Sequence, residues 1–67
     1  MENISRYALY SRHKGYKRGR FDGISTDSFE RAKKMIDHEK NTDIARFFVW
    51  FKIKDTITNK YIYEVRP

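Results

Sequence analysis

The sequence predicts an α+β fold in which one helix packs on one face of an antiparallel sheet of three to four strands, in the order β-β-α-β-β. Two patterns indicate it. Apolar residues recur at helical spacing between residues 28 and 40, and every odd-numbered position from 45 to 53 is apolar. Shorter strand-like segments lie before the helix and at the C-terminal end, bounded by turn residues. The chain has 67 residues, so we expect one domain over residues 1–67.

A single helix is predicted over residues 28–40. Asp27 precedes Glu30 by three residues, which is a capping-box arrangement with Asp in the Ser/Thr place, and Asn41 is a suitable C-terminal cap. The apolar stripe of this helix is narrow and consists of Phe29, Ala32, Met35 and Ile36. We therefore expect the helix to cover only one face of the sheet. Its opposite side carries intermixed charges and is expected to be solvated.

The central strand is predicted over residues 45–53, followed by Lys54. Alternate side chains of a strand point to opposite faces of the sheet. The helix-facing set is expected to be Ala45, Phe47, Val49, Phe51 and Ile53. The open-face set is then Arg46, Phe48, Trp50, Lys52 and Lys54, two aromatic residues among cations. Such a surface is expected to meet the N-terminal segment, a loop, a ligand or a protein partner, or to form a homodimer through Phe48 and Trp50.

The N-terminal half is predicted to form a hairpin. A first strand is expected over residues 4–12, and Lys14-Gly15 marks the hairpin tip. A second strand is expected to run to Phe21, where Asp22-Gly23 signals a further turn.

The C-terminal hairpin is predicted to turn over residues 55–59 and to continue as a strand over residues 60–66. Two registers are open. If Ile53 faces Tyr61, the odd-numbered residues of the last strand join the core. If Ile53 faces Ile62, the tyrosines lie on the open face beside Trp50. A slip of one residue exchanges the two faces, so each register predicts a different surface.

The charge of the chain limits its partners. A net charge of +6 and a pI near 9.8 favour a polyanion, which is a nucleic acid, an anionic lipid surface or an acidic protein. Without Cys, the chain forms neither a disulfide nor a thiolate metal site, so we expect a reducing compartment: the cytoplasm, or the host cytoplasm if a phage encodes the protein. No run is apolar enough to span a membrane, and the first six residues lack the apolar core of a secretory signal.

Two surfaces are candidate binding sites. The segment from Arg12 to Arg20 contains five cations, glycines, His13 and Tyr16, and such a loop can follow a phosphate backbone. On the open face, bases could stack on aromatic rings for about 1–3 kcal/mol each while lysines neutralise phosphates. The predicted binding residues are Arg12, Lys14, Tyr16, Lys17, Arg18, Arg20, Arg46, Phe48, Trp50, Lys52 and Lys54.

Catalytic motifs are weakly represented. Neither His13 nor His38 lies in a metal-ligand motif, and no Ser is set in a nucleophile elbow. We expect no cofactor, no metal and no enzymatic activity. A small ribonuclease is the remaining catalytic alternative, with His13 as general acid or base and Arg18 or Arg20 stabilising the pentavalent phosphorus.

The order of residues 6–40 is strand, basic turn, strand, then Ile24-Ser25-Thr26-Asp27 leading into a helix with Ala32. This order resembles the modules of integrase arm-binding domains and plant AP2-type DNA-binding domains, and the resemblance implies nucleic-acid binding through the sheet. The chain departs from that pattern in the hairpin of residues 45–66. Its size, charge and aromatic content are also similar to those of short accessory proteins of bacteriophages and mobile elements.

The expected function is non-enzymatic nucleic-acid binding, with RNA or single-stranded DNA favoured over duplex DNA. The alternative is a phage-like accessory protein that inhibits or redirects a host protein through the same aromatic face.

Overall fold

The computed structural model describes residues 4–67, in which one helix packs on one antiparallel sheet. The strands lie in the spatial order β2-β1-β3-β4. The predicted α+β fold and its β-β-α-β-β order are therefore confirmed. The elements are β1 (Tyr7–His13), β2 (Arg20–Thr26), α1 (Phe29–Lys40), a 3₁₀ helix (Asp43–Phe47), β3 (Phe48–Asp55) and β4 (Lys60–Val65).

Helix α1 begins one residue later than predicted, because Ser28 is its N-cap. The Ser28 hydroxyl accepts a hydrogen bond from the backbone N–H of Arg31 at 3.3 Å. Asp27 instead accepts one from the N–H of Arg6 at 3.2 Å. The prediction of Asp27 as the cap is wrong: both residues suit that role, and a contact from the N-terminal segment occupies Asp27. Asn41 is the C-cap as predicted.

The core lies between α1 and one face of the sheet. Leu9, Phe51 and Ile53 from the sheet are fully buried against Ala32 and Ile36 of the helix. The narrow apolar stripe thus covers one face, as its width predicts.

Strand β3 begins at Phe48, so the prediction of a strand from Ala45 is wrong over its first residues. The 3₁₀ helix occupies that segment, and the N–H of Ala45 donates to the carbonyl of Thr42 at 3.1 Å. Ala45 is buried from this helical turn, whereas Phe47 is 45% exposed. The apolar alternation here therefore does not reflect an extended backbone.

A bulge in β3 moves Phe48 to the helix side. Arg12 pairs with Trp50 and His13 pairs with Phe48, which leaves Val49 as an extra residue. The Phe48 ring packs 5.1 Å from that of Phe51 on the core side. The prediction that Phe48 shares a face with Trp50 is wrong because the bulge separates them, so the predicted homodimer surface does not exist as one face.

Strand β2 also contains a bulge. Tyr10 pairs with Phe21 and Ala8 pairs with Ser25, so three residues of β2 lie opposite Leu9 alone. Gly23 lies in this bulge with φ of +82°. The prediction of a turn at Asp22-Gly23 is wrong, because the strand continues past it to Thr26. The first strand begins at Tyr7 and not at residue 4.

The C-terminal hairpin adopts neither predicted register throughout. Ile53 pairs with Tyr63 while Lys54 pairs with Tyr61, so Ile62 is an extra residue. Tyr63 therefore packs against the core, while Tyr61 lies on the opposite face beside Trp50. The turn predicted over residues 55–59 spans residues 56–59, since Asp55 is the last residue of β3, and Asn59 has a positive φ of 60°.

Candidate nucleic-acid interface

The sheet face opposite α1, here called the open face, collects aromatic and basic side chains from all four strands. The bulges in β2, β3 and β4 determine which residues reach it. Its members are Tyr10, Phe21, Trp50, Lys52, Lys54 and Tyr61.

Four aromatic rings form a continuous row across the open face. The Tyr10 ring lies 5.7 Å from that of Phe21 and 5.6 Å from that of Tyr61, and Tyr61 lies 6.0 Å from Trp50. Tyr61 is 46% exposed, while Tyr10 and Phe21 are half-buried. These three rings are therefore accessible to a flat ligand, with Tyr10 between the other two and Tyr61 the most exposed.

The ammonium groups of two lysines lie over rings of this row. The ammonium of Lys52 lies 4.3 Å from the centre of the Trp50 ring and 4.9 Å from that of Tyr61. The ammonium of Lys54 lies 5.3 Å from Tyr10 and 5.7 Å from Tyr61. Cation–π attraction holds both lysines close to the rings. Lys52 also forms an ion pair with Glu64 at 3.4 Å, whereas Lys54 forms no ion pair within residues 4–67, so Lys54 supplies the uncompensated positive charge beside the rings.

Trp50 is not available for stacking, because it is only 8% exposed. Gly19 covers it: a Cβ added at Gly19 would overlap the indole Cη2 and fall 2.6 Å from Cζ2. The predicted role of Trp50 as an exposed stacking residue is wrong. Instead, the Trp50 ring packs against the β1–β2 connection at Gly19.

The β1–β2 connection, here called the basic loop, spans residues 14–19. The backbone N–H of Lys14 donates to the carbonyl of Phe47 at 2.7 Å, and Arg12 Nε donates to the carbonyl of Tyr16 at 2.7 Å. Lys17 and Arg18 are exposed, and neither forms an ion pair within the described residues 4–67. Contact between Gly19 and Trp50 places the end of this loop, which follows Lys17 and Arg18 in the sequence, against the open face.

Arg46 lies outside the open face, contrary to prediction. It belongs to the 3₁₀ helix, and its guanidinium lies 4.9 Å from the centre of the Phe47 ring. Sequence reasoning also missed Tyr10 and Phe21, because the alternation in the N-terminal strand fits either face. Tyr61 was one of two register-dependent possibilities, and pairing with Lys54 places it on the open face.

His13 and Arg20, the residues that the ribonuclease hypothesis requires, line one cleft of about 390 Å³ together with Tyr16 and Asp22; Arg18 does not line it. His13 Nδ1 lies 2.8 Å from the carbonyl of Lys14, so that nitrogen donates and Nε2 is left to accept a proton. Burial raises the pKa of Asp22, while a hydrogen bond from the Ser11 hydroxyl at 2.6 Å opposes that rise.

No family model, curated protein or solved structure matches this chain. The sheet also extends beyond the pattern of residues 6–40, because β3 pairs with β1 and β4 completes the sheet after the helix. The longest helix in residues 4–67 has 12 residues, and none there is long and apolar enough to cross a membrane.

Proposed function

We propose that the protein binds single-stranded nucleic acid, RNA or single-stranded DNA, through the open face and the basic loop, without enzymatic activity. One observation carries the proposal. The exposed Tyr61 ring lies beside Tyr10, with the ammonium group of Lys54 within 5.7 Å of both ring centres, on the sheet face that the helix leaves free.

This combination suits unpaired bases. A base stacks on an aromatic ring whatever its sequence, for about 1–3 kcal/mol by alanine substitution, while a neighbouring cation neutralises the adjoining phosphate. A duplex keeps its bases stacked on one another and offers only their edges in the grooves. The open face supplies rings instead of a groove-reading helix, which favours a single strand.

The basic loop supplies the remaining phosphate contacts. Lys17 and Arg18 lie next to Gly19, whose contact with Trp50 anchors the loop against the open face. Binding of this kind releases counterions, so the logarithm of the affinity falls with the logarithm of salt concentration by about 0.7 per neutralised phosphate of a single strand. Each loop cation that contacts a phosphate should reduce this slope when it is removed.

Fluorescence anisotropy with labelled oligonucleotides tests the proposal. Single-stranded RNA, single-stranded DNA and duplex DNA of one sequence are titrated over a salt series from about 50 mM, where phosphate contacts are strong. Tyr61→Ala is expected to weaken binding about 5- to 150-fold, the range that corresponds to the loss of one stacked base. Arg18→Ala is expected to weaken binding and to flatten the salt dependence.

Matched controls separate the site from the overall charge. Ile57→Ala removes an apolar side chain that is 72% exposed in the β3–β4 turn, and Arg31→Ala removes an exposed cation on α1. Both should retain wild-type affinity. The proposal fails if no micromolar binding is detected at about 50 mM salt, where electrostatic contacts contribute most. It also fails if Tyr61→Ala and Arg18→Ala bind as the controls do.

A second candidate function is binding of an acidic host or partner protein through the same face, as in a phage-like accessory protein. Tyr61 and Ile62 support it, because both are exposed on the edge strand β4 and extend the aromatic surface. Pull-down from a nuclease-treated lysate distinguishes the two functions, since a direct protein partner survives nuclease. In either case the proposed setting is the cytoplasm, where RNA and host proteins are available.

A further inference from the structure

A second cationic surface lies at the end of the sheet where β3 begins. It is an open cleft of about 670 Å³ between the C-terminal end of α1, the 3₁₀ helix and the tip of the basic loop. Three cations line it: Lys14, Lys40 and Arg46. We call this feature the basic cleft.

The three cations come from separate elements, and the fold holds each backbone in place. Lys14 is fixed by the hydrogen bond of its N–H to the carbonyl of Phe47. Lys40 ends α1, where the side-chain amide of Asn41 donates to the carbonyl of Asp37 at 2.9 Å. Arg46 packs its guanidinium over the Phe47 ring. Residues distant in the sequence thus converge on one cleft.

The charge of the basic cleft is poorly compensated. Asp43 contributes one carboxylate to its lining, and Pro67, the last residue described, lines it as well. Within residues 4–67, Lys14, Lys40 and Arg46 have no carboxylate within 4.0 Å. The C-terminal dipole of α1 favours Lys40 on its own, but it has no bearing on Lys14 or Arg46. Like charges around one cleft repel, and an anionic ligand would relieve that repulsion.

We propose that the basic cleft binds a ligand with two or more linked phosphate groups, such as a free oligophosphate or a nucleoside polyphosphate. Its volume is far larger than one phosphate group needs, and cations line it from three elements. Arg46 offers a planar fork that binds phosphate through paired N–H groups, while the lysines act as point charges. Ala45 and Val49 add apolar wall beside these cations.

Isothermal titration calorimetry with four probes tests this site: tripolyphosphate, ATP, adenosine and inorganic phosphate. We expect tripolyphosphate and ATP to bind, inorganic phosphate to bind more weakly and adenosine not to bind. ATP binding tighter than tripolyphosphate binding would assign the site to nucleotides, because the apolar wall then contacts the base. Equal affinities would assign it to the oligophosphate group alone. Absence of tripolyphosphate and ATP binding at millimolar concentration overturns the proposal.

Charge-matched variants locate the binding. Lys40→Gln and Arg46→Gln are each expected to weaken tripolyphosphate binding about tenfold or more, as the loss of a charge-assisted hydrogen bond predicts. Lys34→Gln removes the same charge from an exposed position on α1 outside the cleft and should bind as wild type does. If Lys40→Gln and Arg46→Gln bind no worse than Lys34→Gln, the proposal is overturned.

The test is independent of the function proposed for the open face. Tyr61→Ala, on the opposite side of the sheet from the core, should lose oligonucleotide affinity and keep tripolyphosphate affinity. If tripolyphosphate does not bind while oligonucleotides do, only the basic cleft is rejected. If tripolyphosphate binds and oligonucleotides do not, only the nucleic-acid proposal is rejected.

Discussion

Gly19 lies so close to Trp50 that no larger residue fits between the basic loop and the indole ring. This contact gives the single tryptophan a structural role. It helps to bury the ring on the otherwise accessible side of the sheet and fixes the end of the basic loop against the open face. The position of this loop on the candidate interface therefore depends on one glycine.

Gly19→Ala is predicted to destabilise the protein by about 1–3 kcal/mol, since the added Cβ must displace either the loop or the Trp50 ring. Because Trp50 is the only tryptophan, its fluorescence reports the change directly, and its emission should shift to the red as the ring gains water contact. Urea unfolding followed by this emission measures both effects. Lys17→Ala, in the same loop but exposed, should stay within about 0.5 kcal/mol of wild type. Equal behaviour of the two variants would contradict the assigned role of Gly19.

The helix and the two hairpins are predicted by patterns among residues that are close together in the sequence. The stripe from Phe29 to Ile36 has helical spacing, and polar turn residues follow Asp55. Local chemistry is sufficient for these elements, because each forms through contacts between near neighbours. The cap at Ser28 differs from prediction by one residue, and Asp27 instead accepts a hydrogen bond from Arg6, which is distant in the sequence.

The composition of the open face could not be predicted in the same way. Each bulge adds unpaired residues that depend on the partner strand, and the one-residue bulges in β3 and β4 exchange the faces of the residues beyond them. Because Val49 is an extra residue in β3, Phe48 lies on the core side. Because Ile62 is an extra residue in β4, Tyr61 lies on the open face. Strict alternation therefore fails at the positions that determine the candidate site, while it correctly places Phe51, Ile53, Lys52 and Lys54.

The protein is predicted to leave RNA intact, because the open face offers stacking and charge without a proton-transfer pair. Gel analysis of a labelled RNA after long incubation with wild type measures this. Cleavage would instead support chemistry in the cleft that His13 and Arg20 share. In that event His13→Ala should abolish cleavage, while His38→Ala, on the exposed side of α1, should retain it. Cleavage that persists in His13→Ala would indicate a contaminating nuclease.

Asp55→Asn is predicted to lower stability at neutral pH. Asp55 is buried at the end of β3, where Arg6 Nη2 donates to Oδ2 at 3.1 Å and the N–H of Ile57 donates to Oδ1 at 3.0 Å. The hydrogen bond from Arg6 holds the pKa of Asp55 below its ordinary value of 3.8. The charged carboxylate therefore stabilises the fold above the pKa of the unfolded chain, and this contribution is lost as pH falls through the lowered pKa.

Urea unfolding of wild type and Asp55→Asn across the acid range measures that contribution. The stability difference should be largest near neutral pH and should shrink below about pH 4, the ordinary range of an Asp carboxyl. Arg6→Gln should show the same pH dependence, and the double variant should lose less than the sum of the two single variants because they share one interaction. Additive losses would show that Arg6 and Asp55 act separately.

Asp22→Asn is predicted to change stability in the opposite direction. Asp22 is half-buried, and burial raises its pKa; burial also raises the pKa of Glu39, with repulsion from Asp22 as a further cause. A carboxyl with a raised folded pKa holds its proton more tightly in the fold, so its charged form opposes folding at neutral pH. Asparagine removes that charge and keeps an oxygen that can accept the hydrogen bond from Ser11.

Asp22→Asn should therefore be more stable than wild type at pH 7, and the difference should close as pH falls through the raised pKa of Asp22. Urea unfolding at a series of pH values measures it. Asp22→Ala is the matched comparison, because it also removes the charge but leaves the buried Ser11 hydroxyl without its acceptor. A loss of stability in Asp22→Asn at pH 7 would mean that the carboxylate is paired with a cation in the fold. Arg20, which lines the same cleft, would then be the partner to test by double-mutant cycle.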